Sequence, residues 1–425
     1  MRKSLSVLLL SILAACFTLN AQQADVLEQV RSDVRKSYGM EGPHRLDEMG
    51  PLSKAPCGYK PFYISHYGRH GSRYAWNSKT YTIIHETLQK AAEAGALTPY
   101  GEELRTKYEA FYMEPWINSG DLVPLGFEQH EAIGRFAVKN FPQVFKADRT
   151  VQAISSTAQR SIVSMGAFTL GLKSGSPRLR ITQNSNHVGM KVAAPPSVHK
   201  SLVRHFKGEN EDYRAENPSS FRNRTVPQKE VLDKLFTDCS FISGEEATTF
   251  ASQLWQLYCG YHNYESEPLF DDLLTDEQRV QFWEADNYSS WYSDLTARWA
   301  EIPLLEDIVT KASEAFRDNT KAADLRFGHD YVLEALACLM DLDGCGKVPQ
   351  KPEDVKYCFQ NYNIPMAATL MMVFYRNGKG DILVKAILNE REVTIGHLTP
   401  VKGYYYRWSD FMDWYGKMRS EHPEL

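Results

Sequence analysis

Residues 59–74 read YKPFYISHYGRHGSRY, and this stretch indicates both the fold and the position of the functional site. Bulky residues alternate with small or polar ones over 59–67, which predicts a β-strand. Arg69, His70 and Arg73 follow where that strand ends. Ligands of open α/β sheets bind in the crevice at the carboxyl ends of the strands. The stretch therefore favours an α/β fold with a ligand site around these three residues.

The cluster Arg69-His70-Gly71-Ser72-Arg73 has the composition of a phosphate-transfer site. Guanidinium groups bind phosphate oxygens through paired N–H donors. An imidazole can accept a phosphoryl group as a nucleophile, and a glycine allows the backbone to approach the ligand. The alternative is a solvated basic turn that carries one histidine by chance, but such clusters seldom lack a role. We therefore expect the cluster to bind phosphate.

Two later segments repeat this arrangement, in which a strand ends in polar side chains. Residues 150–157 read TVQAISST, a β-rich run that enters a turn, and Arg160 begins the helix that follows. Residues 325–330 read LRFGHD and precede the apolar helical run VLEALACLM. Because the carboxyl ends of parallel strands meet at one edge of a sheet, we expect Arg160, His329 and Asp330 to join the first cluster.

The combined residues fit hydrolysis of a phosphomonoester without a metal. Neighbouring arginines should lower the pKa of His70 and keep it neutral, so that it can attack phosphorus. Protonated His329 and the arginines would stabilise charge on the equatorial oxygens. Asp330 would give a proton to the departing alcohol and then accept one from the water that cleaves the phosphohistidine. Glu334, about one helical turn onward, is the second candidate for this donor.

The middle of the chain differs in character from the two ends. It is rich in tryptophan and tyrosine, dense in charge and poor in β-branched runs. We predict a mainly helical cap domain at 186–317, inserted into an α/β domain formed by 22–185 and 318–425. The α/β domain should contain a mixed central sheet flanked by helices, with further strands near 370–375 and 382–388. A cap over an α/β crevice would select substrates and exclude water.

Composition and the first residues bear on partners and location. The chain has 425 residues, a net charge of -5 and 43% hydrophobic residues, so nothing in it favours a nucleic-acid partner. Residues 1–21 combine a basic start with a short apolar run and predict a secretory signal peptide. The apolar run is short for a transmembrane segment, and no other stretch approaches membrane length. Cys16 resembles a lipoprotein cleavage site, but the apolar run continues past it, which favours cleavage after Ala21 and a periplasmic or secreted protein.

Six cysteines remain after removal of the predicted leader, and an exported chain permits disulfides. Two local pairs are plausible, Cys239 with Cys259 and Cys345 with Cys358, and buried free thiols are the alternative. No C-x-x-C pair occurs, which argues against a zinc ribbon or a thioredoxin-like redox site.

Other reaction classes lack their signatures. There is no H-E-x-x-H, and residues 341–346 fail as a calcium loop because their fifth position is a cysteine. The P-loop and the G-x-S-x-G elbow are absent as well. We expect no metal and no cofactor. A phosphate-binding protein without turnover is the non-enzymatic alternative, which His70 and Asp330 disfavour because binding alone needs neither a nucleophile nor a proton donor.

Three motifs in this order carry a family resemblance: RHGSR at 69–73, STAQRS at 156–161 and FGHD at 327–330. Together they resemble the histidine acid phosphatases, and the similarity extends over most of the chain after the leader. Within that family the chain is most similar to the multiple inositol polyphosphate phosphatases, on stretches such as NIPMAATLMMVFYR at 363–376 and VKAILNEREV at 384–393. The resemblance implies a phosphatase acting on small phosphate esters.

The resemblance also assigns roles to residues of this chain. His70 would be the nucleophile, and an acid beside His329 the proton donor. The phosphate ligands would be Arg69, Arg73, Arg160 and His329.

One departure from the family pattern concerns the late motif. Inositol polyphosphate phosphatases usually carry His-Ala-Glu, whereas this chain has His329-Asp330-Tyr331, the form of acid phosphatases and histidine-type phytases. Asp330 is therefore the expected donor. The expected substrates are phytate-like inositol polyphosphates, and the alternative is the substrate range of a broad-specificity acid phosphatase or a sugar-phosphate phosphatase. Additional phosphates would need cations, for which Lys191 is singled out from a basic set: His187, Lys191, Lys200, Arg204, His205 and Lys207.

Overall fold

The strand predicted at 59–67 is a central strand of an eight-stranded sheet. The computed structural model describes residues 26–198, 216–264 and 269–422. Its strands are β1 (Lys60–Arg69), β2 (Thr150–Ser155), β3 (Arg180–Ser185), β4 (Lys321–Gly328), β5 (Thr369–Arg376), β6 (Ile382–Leu388), β7 (Arg391–Val393) and β8 (Tyr406–Arg407). They are ordered β3-β2-β4-β1-β5-β6-β7, with β8 paired to β6.

The sheet is mixed, as expected from the sequence. β1, β2, β3 and β4 run parallel, whereas β5 is antiparallel to β1, and β6, β7 and β8 continue the antiparallel part. Parallel neighbours need crossover connections, and the segments that join these strands contain the helices. The carboxyl ends of β1, β2 and β4 therefore lie at one edge.

Helices cover both faces of the sheet. Tyr63 and Tyr67 of β1 belong to a core formed with the helices Ile302–Ala315 and Asp330–Leu339. Ile64 belongs to a second core, formed with the helices that precede and follow β2. Successive strand side chains point to opposite faces, so this alternation buries β1 on both sides. The structure is an α/β fold with a central sheet between helical layers.

The described helices are 26–32, Val34–Ser37, Ser78–Glu93, Pro99–Phe111, Met113–Ile117, Pro124–Asn140, Gln159–Gly175, Met190–Ala193, Pro195–Val198, Pro218–Thr225, Gln228–Leu235, Gly244–Gly260, Asp276–Ala297, Ile302–Ala315, Asp330–Leu339 and Trp408–Glu421. Two of the long ones begin with a capping box, formed by Ser243 with Glu246 and by Thr275 with Gln278. In each, the side chains satisfy backbone N–H groups that the first turn leaves free.

The helical middle packs together with a segment from the first part of the chain. Helix Gly244–Gly260 contacts helix Ser78–Glu93, which lies between β1 and β2, and both contribute to one apolar cluster. Helix Ile302–Ala315 falls inside the predicted range 186–317 but packs against the sheet. The exact domain boundaries stay a prediction, and the helical layer draws on more than one stretch of sequence.

Some predicted features lie outside the described residues. These are the leader at 1–21 with Cys16, and the basic residues Lys200, Arg204, His205 and Lys207. Within the described ranges, no helix is long and apolar enough to cross a membrane.

The six cysteines after the leader are free thiols in the structure. Neither of the two plausible local pairs forms a disulfide, and Cys259 and Cys338 are buried. The alternative of buried free thiols therefore describes these two residues. The free cysteines are Cys57, Cys239, Cys259, Cys338, Cys345 and Cys358.

Candidate active site

Three strand ends meet where the sequence predicts a ligand site. Arg69 of β1 is paired with Gly328 of β4, and Ser155 of β2 is paired with Phe327. The backbone N–H of His70 donates to the carbonyl oxygen of Gly328 over 3.0 Å. The predicted residues that follow these strands are thus brought to one edge of the sheet.

His70 is buried at the centre of this edge, with an exposed fraction of 2%. Its Nδ1 lies 3.0 Å from the carbonyl oxygen of Gly71. Because a carbonyl oxygen only accepts, Nδ1 carries the hydrogen and Nε2 keeps a free lone pair. Burial, followed by the charges of Arg73 and Arg69, lowers the pKa of His70 well below its usual range. The imidazole is therefore neutral and able to act as a nucleophile.

The loop after β1 is held so tightly that its glycine cannot carry a side chain. A Cβ on Gly71 would lie 2.3 Å from the backbone oxygen of Gly126, in helix Pro124–Asn140. The N–H of Gly71 donates to Ser164 Oγ over 3.0 Å, and the N–H of Ser72 donates to Gln129 Oε1 over 2.9 Å. Two helices thus fix the backbone that presents His70.

The three predicted arginines surround the imidazole, and each is anchored by a backbone carbonyl. Arg69 is fully buried, and its Nη1 donates to the carbonyl oxygens of Met40 and Ile364 over 2.6 and 2.9 Å. Nη1 of Arg73 donates to the carbonyl oxygen of its neighbour Tyr74 over 3.0 Å. Arg160, half-buried, donates to Gly120 at 3.4 Å.

The same arginines leave donors unused. The Nε groups of Arg69, Arg73 and Arg160 are buried and have no hydrogen-bond partner among the described residues. Burying an N–H donor without a partner costs on the order of 1–3 kcal/mol, so such groups are rarely left orphaned in a native protein. Three of them close to one neutral imidazole are suited to an anion with several oxygens.

His329 lies beside His70, with their ring centroids 5.7 Å apart, and stacks on Tyr331. Its backbone N–H donates to the hydroxyl oxygen of Tyr67 over 3.1 Å. Burial, followed by the charge of Arg160, lowers the pKa of His329 to about 4. At neutral pH this ring is therefore neutral, because burial and cations disfavour another positive charge, and the protonated His329 expected beside a bound phosphate stays a prediction. A neutral ring can still donate one N–H to a phosphate oxygen.

Asp330 is the first residue of the helix after β4 and forms an ion pair with Arg69, with 2.7 Å between Oδ2 and Nη2. Burial would raise the pKa of its carboxyl group, but Arg69 and Arg73 outweigh burial and lower it to about 2. The carboxylate of Asp330 is therefore ionised beside these two guanidiniums. To serve as a proton donor, it must take up a proton once a phosphate dianion has offset the two guanidiniums.

Glu334, the second candidate donor, is buried one turn further along the same helix. Burial, followed by the neighbouring Asp294, raises the pKa of Glu334 well above its usual range. Burial also raises the pKa of Asp294 to about 7. This pair holds protons at pH values where Asp330 is ionised.

Lys191 lies in the short helix Met190–Ala193, with its side chain exposed. The same segment borders the site, because the carbonyl oxygen of Ala193 accepts from the hydroxyl of Tyr67, over 2.7 Å. Lys191 is therefore near the rim, and its contact with a substrate stays a prediction.

Glu41 and Met40 belong to the site although no sequence signal marks them. Glu41 Oε1 lies 3.5 Å from Arg73 Nη2, and the carbonyl of Met40 accepts from Arg69. Both residues come from the segment ahead of β1, which has no motif spacing. Tyr67 is a third such residue, which a strand pattern identifies only as core.

A cavity of about 580 Å³ opens beside Asp330. Asp330, Tyr331 and Glu334 line part of it, and much of the rest comes from the helices Gly244–Gly260 and Asp276–Ala297. The cavity therefore connects the strand ends to the helical layer. Among the described residues, no group of three or more His, Cys, Asp or Glu side chains is arranged to hold a metal ion.

Comparison with known proteins relates this site to one family. Residues 68–389 match the model of the histidine phosphatase superfamily (branch 2), a range that contains all three predicted motifs. Multiple inositol polyphosphate phosphatase 1 of Gallus gallus is 22% identical to this chain, over 87% of this chain and 88% of that protein.

Solved structures share the fold. The multiple inositol polyphosphate phosphatase of Bifidobacterium longum, in complex with inositol hexasulfate, superposes with a TM-score of 0.71 at 16% identity, covering 88% of this chain and 96% of that one. A phytase from D. castellii gives a TM-score of 0.67 at 14% identity, covering 91% and 86%. At these identities the likeness establishes the architecture.

Proposed function

Because this chain belongs to branch 2 of the histidine phosphatase superfamily, we propose that it hydrolyses phosphomonoesters through a phosphohistidine formed on His70. One observation carries the proposal: a buried neutral imidazole is surrounded by three arginines whose Nε donors have no partner among the described residues. This arrangement suits a phosphoryl group that is attacked by nitrogen while its oxygens are held by fixed donors.

In the first step, His70 Nε2 attacks phosphorus as the bond to the ester oxygen breaks. Arg69, Arg73, Arg160 and the ring N–H of His329 bind the equatorial oxygens, and the alcohol leaves with a proton from Asp330. In the second step, Asp330 takes a proton from water, whose oxygen attacks phosphorus and breaks the N–P bond. Inorganic phosphate departs, and His70 is neutral again.

The charge of the substrate itself prepares Asp330. A bound phosphate dianion neutralises the guanidiniums that hold the pKa of Asp330 low. Removal of their effect leaves burial, which raises the pKa of a carboxyl group. Asp330 can then accept a proton, and Glu334 and Asp294 lie beside it as protonated groups. Asp330 remains the proposed donor because it is ion-paired with Arg69, which is proposed to bind the phosphate.

We propose inositol phosphates as the substrate class, which the names of the relatives support. The His329-Asp330 form of the late motif keeps sugar phosphates, or a broad range of monoesters, as the second candidate. The predicted leader at 1–21 supports export to the periplasm or the medium.

The decisive experiment is trapping of the covalent intermediate. Brief exposure to a labelled phosphate ester should give acid-labile, alkali-stable phosphate on the wild-type protein, and His70→Ala should abolish both label and turnover. Tight phosphate binding without any label or turnover in the wild type would reject the enzyme and support the phosphate-binding alternative.

A further inference from the structure

The cavity beside Asp330 is the space that the leaving group of a bound ester would enter. A proton donor must reach the departing oxygen, so the remainder of the substrate extends past Asp330. Asp330, Tyr331 and Glu334 form part of the cavity wall. This inference rests on the proposed function. If that function holds, the residues of the cavity wall select substrates by the groups that they carry beyond the cleaved phosphate.

The described wall is rich in carboxyl and hydroxyl groups and poor in cations. Its carboxyl groups belong to Glu41, Asp286, Asp294, Asp330 and Glu334. Its serines are Ser37, Ser252, Ser289, Ser290 and Ser293, and its amides are Gln253, Gln256 and Asn361. Arg222 is the one lysine or arginine among the described residues that line the cavity, and Lys191 does not belong to this lining.

The charge of Arg222 is already neutralised within the wall. Its Nη1 lies 2.6 Å from Asp286 Oδ1. The other carboxylate oxygen of Asp286 accepts a hydrogen bond from Trp255 Nε1, which fixes the carboxylate. A second substrate phosphate would therefore have to share this arginine with an oriented carboxylate.

The carboxylates nearest the imidazole are matched to the arginines that bind the scissile phosphate. Glu41 faces Arg73 at 3.5 Å, and Asp330 faces Arg69 at 2.7 Å. The arginines around His70 therefore compensate one bound phosphate dianion, and Arg69, Arg73 and Arg160 do not line the cavity. A further phosphate inside the cavity would find no free lysine or arginine among the described lining residues.

We infer that the preferred substrates carry hydroxyl groups, with few further phosphates, on the part that enters the cavity: lower inositol phosphates and related polyol or sugar monophosphates. Hydroxyl groups can donate to the carboxylates and both donate to and accept from the serines. An additional phosphate dianion would give up its hydration there without gaining a free lysine or arginine among the described lining residues, and it would therefore lose affinity. Other phosphatases must then remove most phosphates from a highly phosphorylated ring before this enzyme acts.

The test compares kcat/KM for an inositol monophosphate, a hexose 6-phosphate and inositol hexakisphosphate. The hexakisphosphate should be poorer than both monophosphates by at least about tenfold. A hexakisphosphate that equals or exceeds the monophosphates would overturn this inference and leave the phosphohistidine mechanism intact. Absence of turnover and of covalent label with all three esters would instead reject the proposed function.

One variant at the cavity wall and one control outside it separate an effect on substrate selectivity from an effect on folding. Asp286→Asn releases Arg222 and should raise the ratio of hexakisphosphate to monophosphate kcat/KM by about threefold or more. Glu353→Gln is the matched control, because it also removes a carboxylate paired with an arginine, at 2.6 Å from Arg224, but outside the cavity lining. It should leave the ratio unchanged.

If Asp286→Asn fails to fold, the double variant Arg222→Gln with Asp286→Asn tests the same reasoning, because removal of both partners leaves no unpaired charge. Since the pair is neutral as a whole, its removal should change the ratio less than about twofold. A fall in hexakisphosphate kcat/KM by about tenfold, with monophosphates unaffected, would show that Arg222 binds a second phosphate and would overturn the inference.

Discussion

Asp330→Asn should separate two effects of one carboxylate. In the structure, Asp330 Oδ2 lies 2.7 Å from Arg69 Nη2, so the carboxylate neutralises an arginine that is proposed to bind phosphate. Asp330 is also the proposed proton donor to the departing oxygen. Asparagine keeps the size of the side chain, removes its charge and cannot act as an acid. The substitution should therefore weaken proton donation and strengthen anion binding at the same time.

The size of each effect follows from the geometry. A positioned general acid contributes about 10²–10⁴ in rate when the leaving group is a poor one. An alkyl phosphate should lose about that factor in kcat, and a nitrophenyl phosphate, whose phenolate leaves without protonation, less than about tenfold. At 2.7 Å and an effective dielectric constant near 20, the lost carboxylate attracted Arg69 by about 6 kcal/mol. When phosphate replaces the carboxylate beside Arg69 in the wild type, water solvates the freed carboxylate and offsets most of this attraction. The variant should therefore gain about 1.4 kcal/mol in binding free energy, so that phosphate binds about tenfold more tightly.

The assay measures kcat on the two esters and the inhibition constant of inorganic phosphate, for wild type and variant. Equal loss of kcat on both esters would contradict Asp330 as the donor and would direct attention to Glu334. Weaker phosphate inhibition in the variant would contradict the ion-pair reasoning, because it would mean that the carboxylate helps to bind the anion.

Three further outcomes follow from other contacts. Gly71→Ala places a Cβ 2.3 Å from a backbone oxygen and should lower both Tm and kcat, whereas Gly166→Ala, with nothing within 4 Å, should leave kcat unchanged and raise Tm slightly. Burial raises the pKa of Glu301 well above its usual range, so the folded state binds an extra proton and loses stability as pH rises; Glu301→Gln should therefore raise the unfolding free energy relative to wild type more at pH 7 than at pH 4 in denaturant titrations. Glu41→Gln removes the carboxylate 3.5 Å from Arg73 and should lower the inhibition constant of phosphate several-fold, and an unchanged constant would dismiss that contact.

The strand ends and the residues around His70 are predictable from the sequence because their signals are local. Alternation marks β1, and Arg69 and Arg73 flank a histidine and a glycine within five positions. The rule that parallel strand ends share an edge then brings Arg160 and His329 to the same place. Each of these steps needs only the chain order and the period of the strand.

The protonation states and the cavity wall are beyond such reasoning. The pKa of His329 depends on how completely surrounding helices exclude water, and a short motif carries no measure of burial. Glu41 is one of many acidic residues in the sequence, and only the path of the chain brings it to Arg73. The carboxyl groups of the cavity likewise come from three separate segments, which carry Glu41, Asp286 with Asp294, and Asp330 with Glu334. Helical spacing relates the members of each pair, but it does not relate the three segments to one another.

Met40 and Glu41 affect which residues a functional fragment of this protein has to include. The region shared with the family starts at residue 68, near the end of β1, yet both residues lie well ahead of it and hold Arg69 and Arg73. A fragment trimmed to the shared region would keep the motifs at 69–73, 156–161 and 327–330, but it would lose most of β1 and the partners that orient two of its arginines. The stretch ahead of these motifs is accordingly a place to seek differences in phosphate affinity that the motifs themselves do not explain.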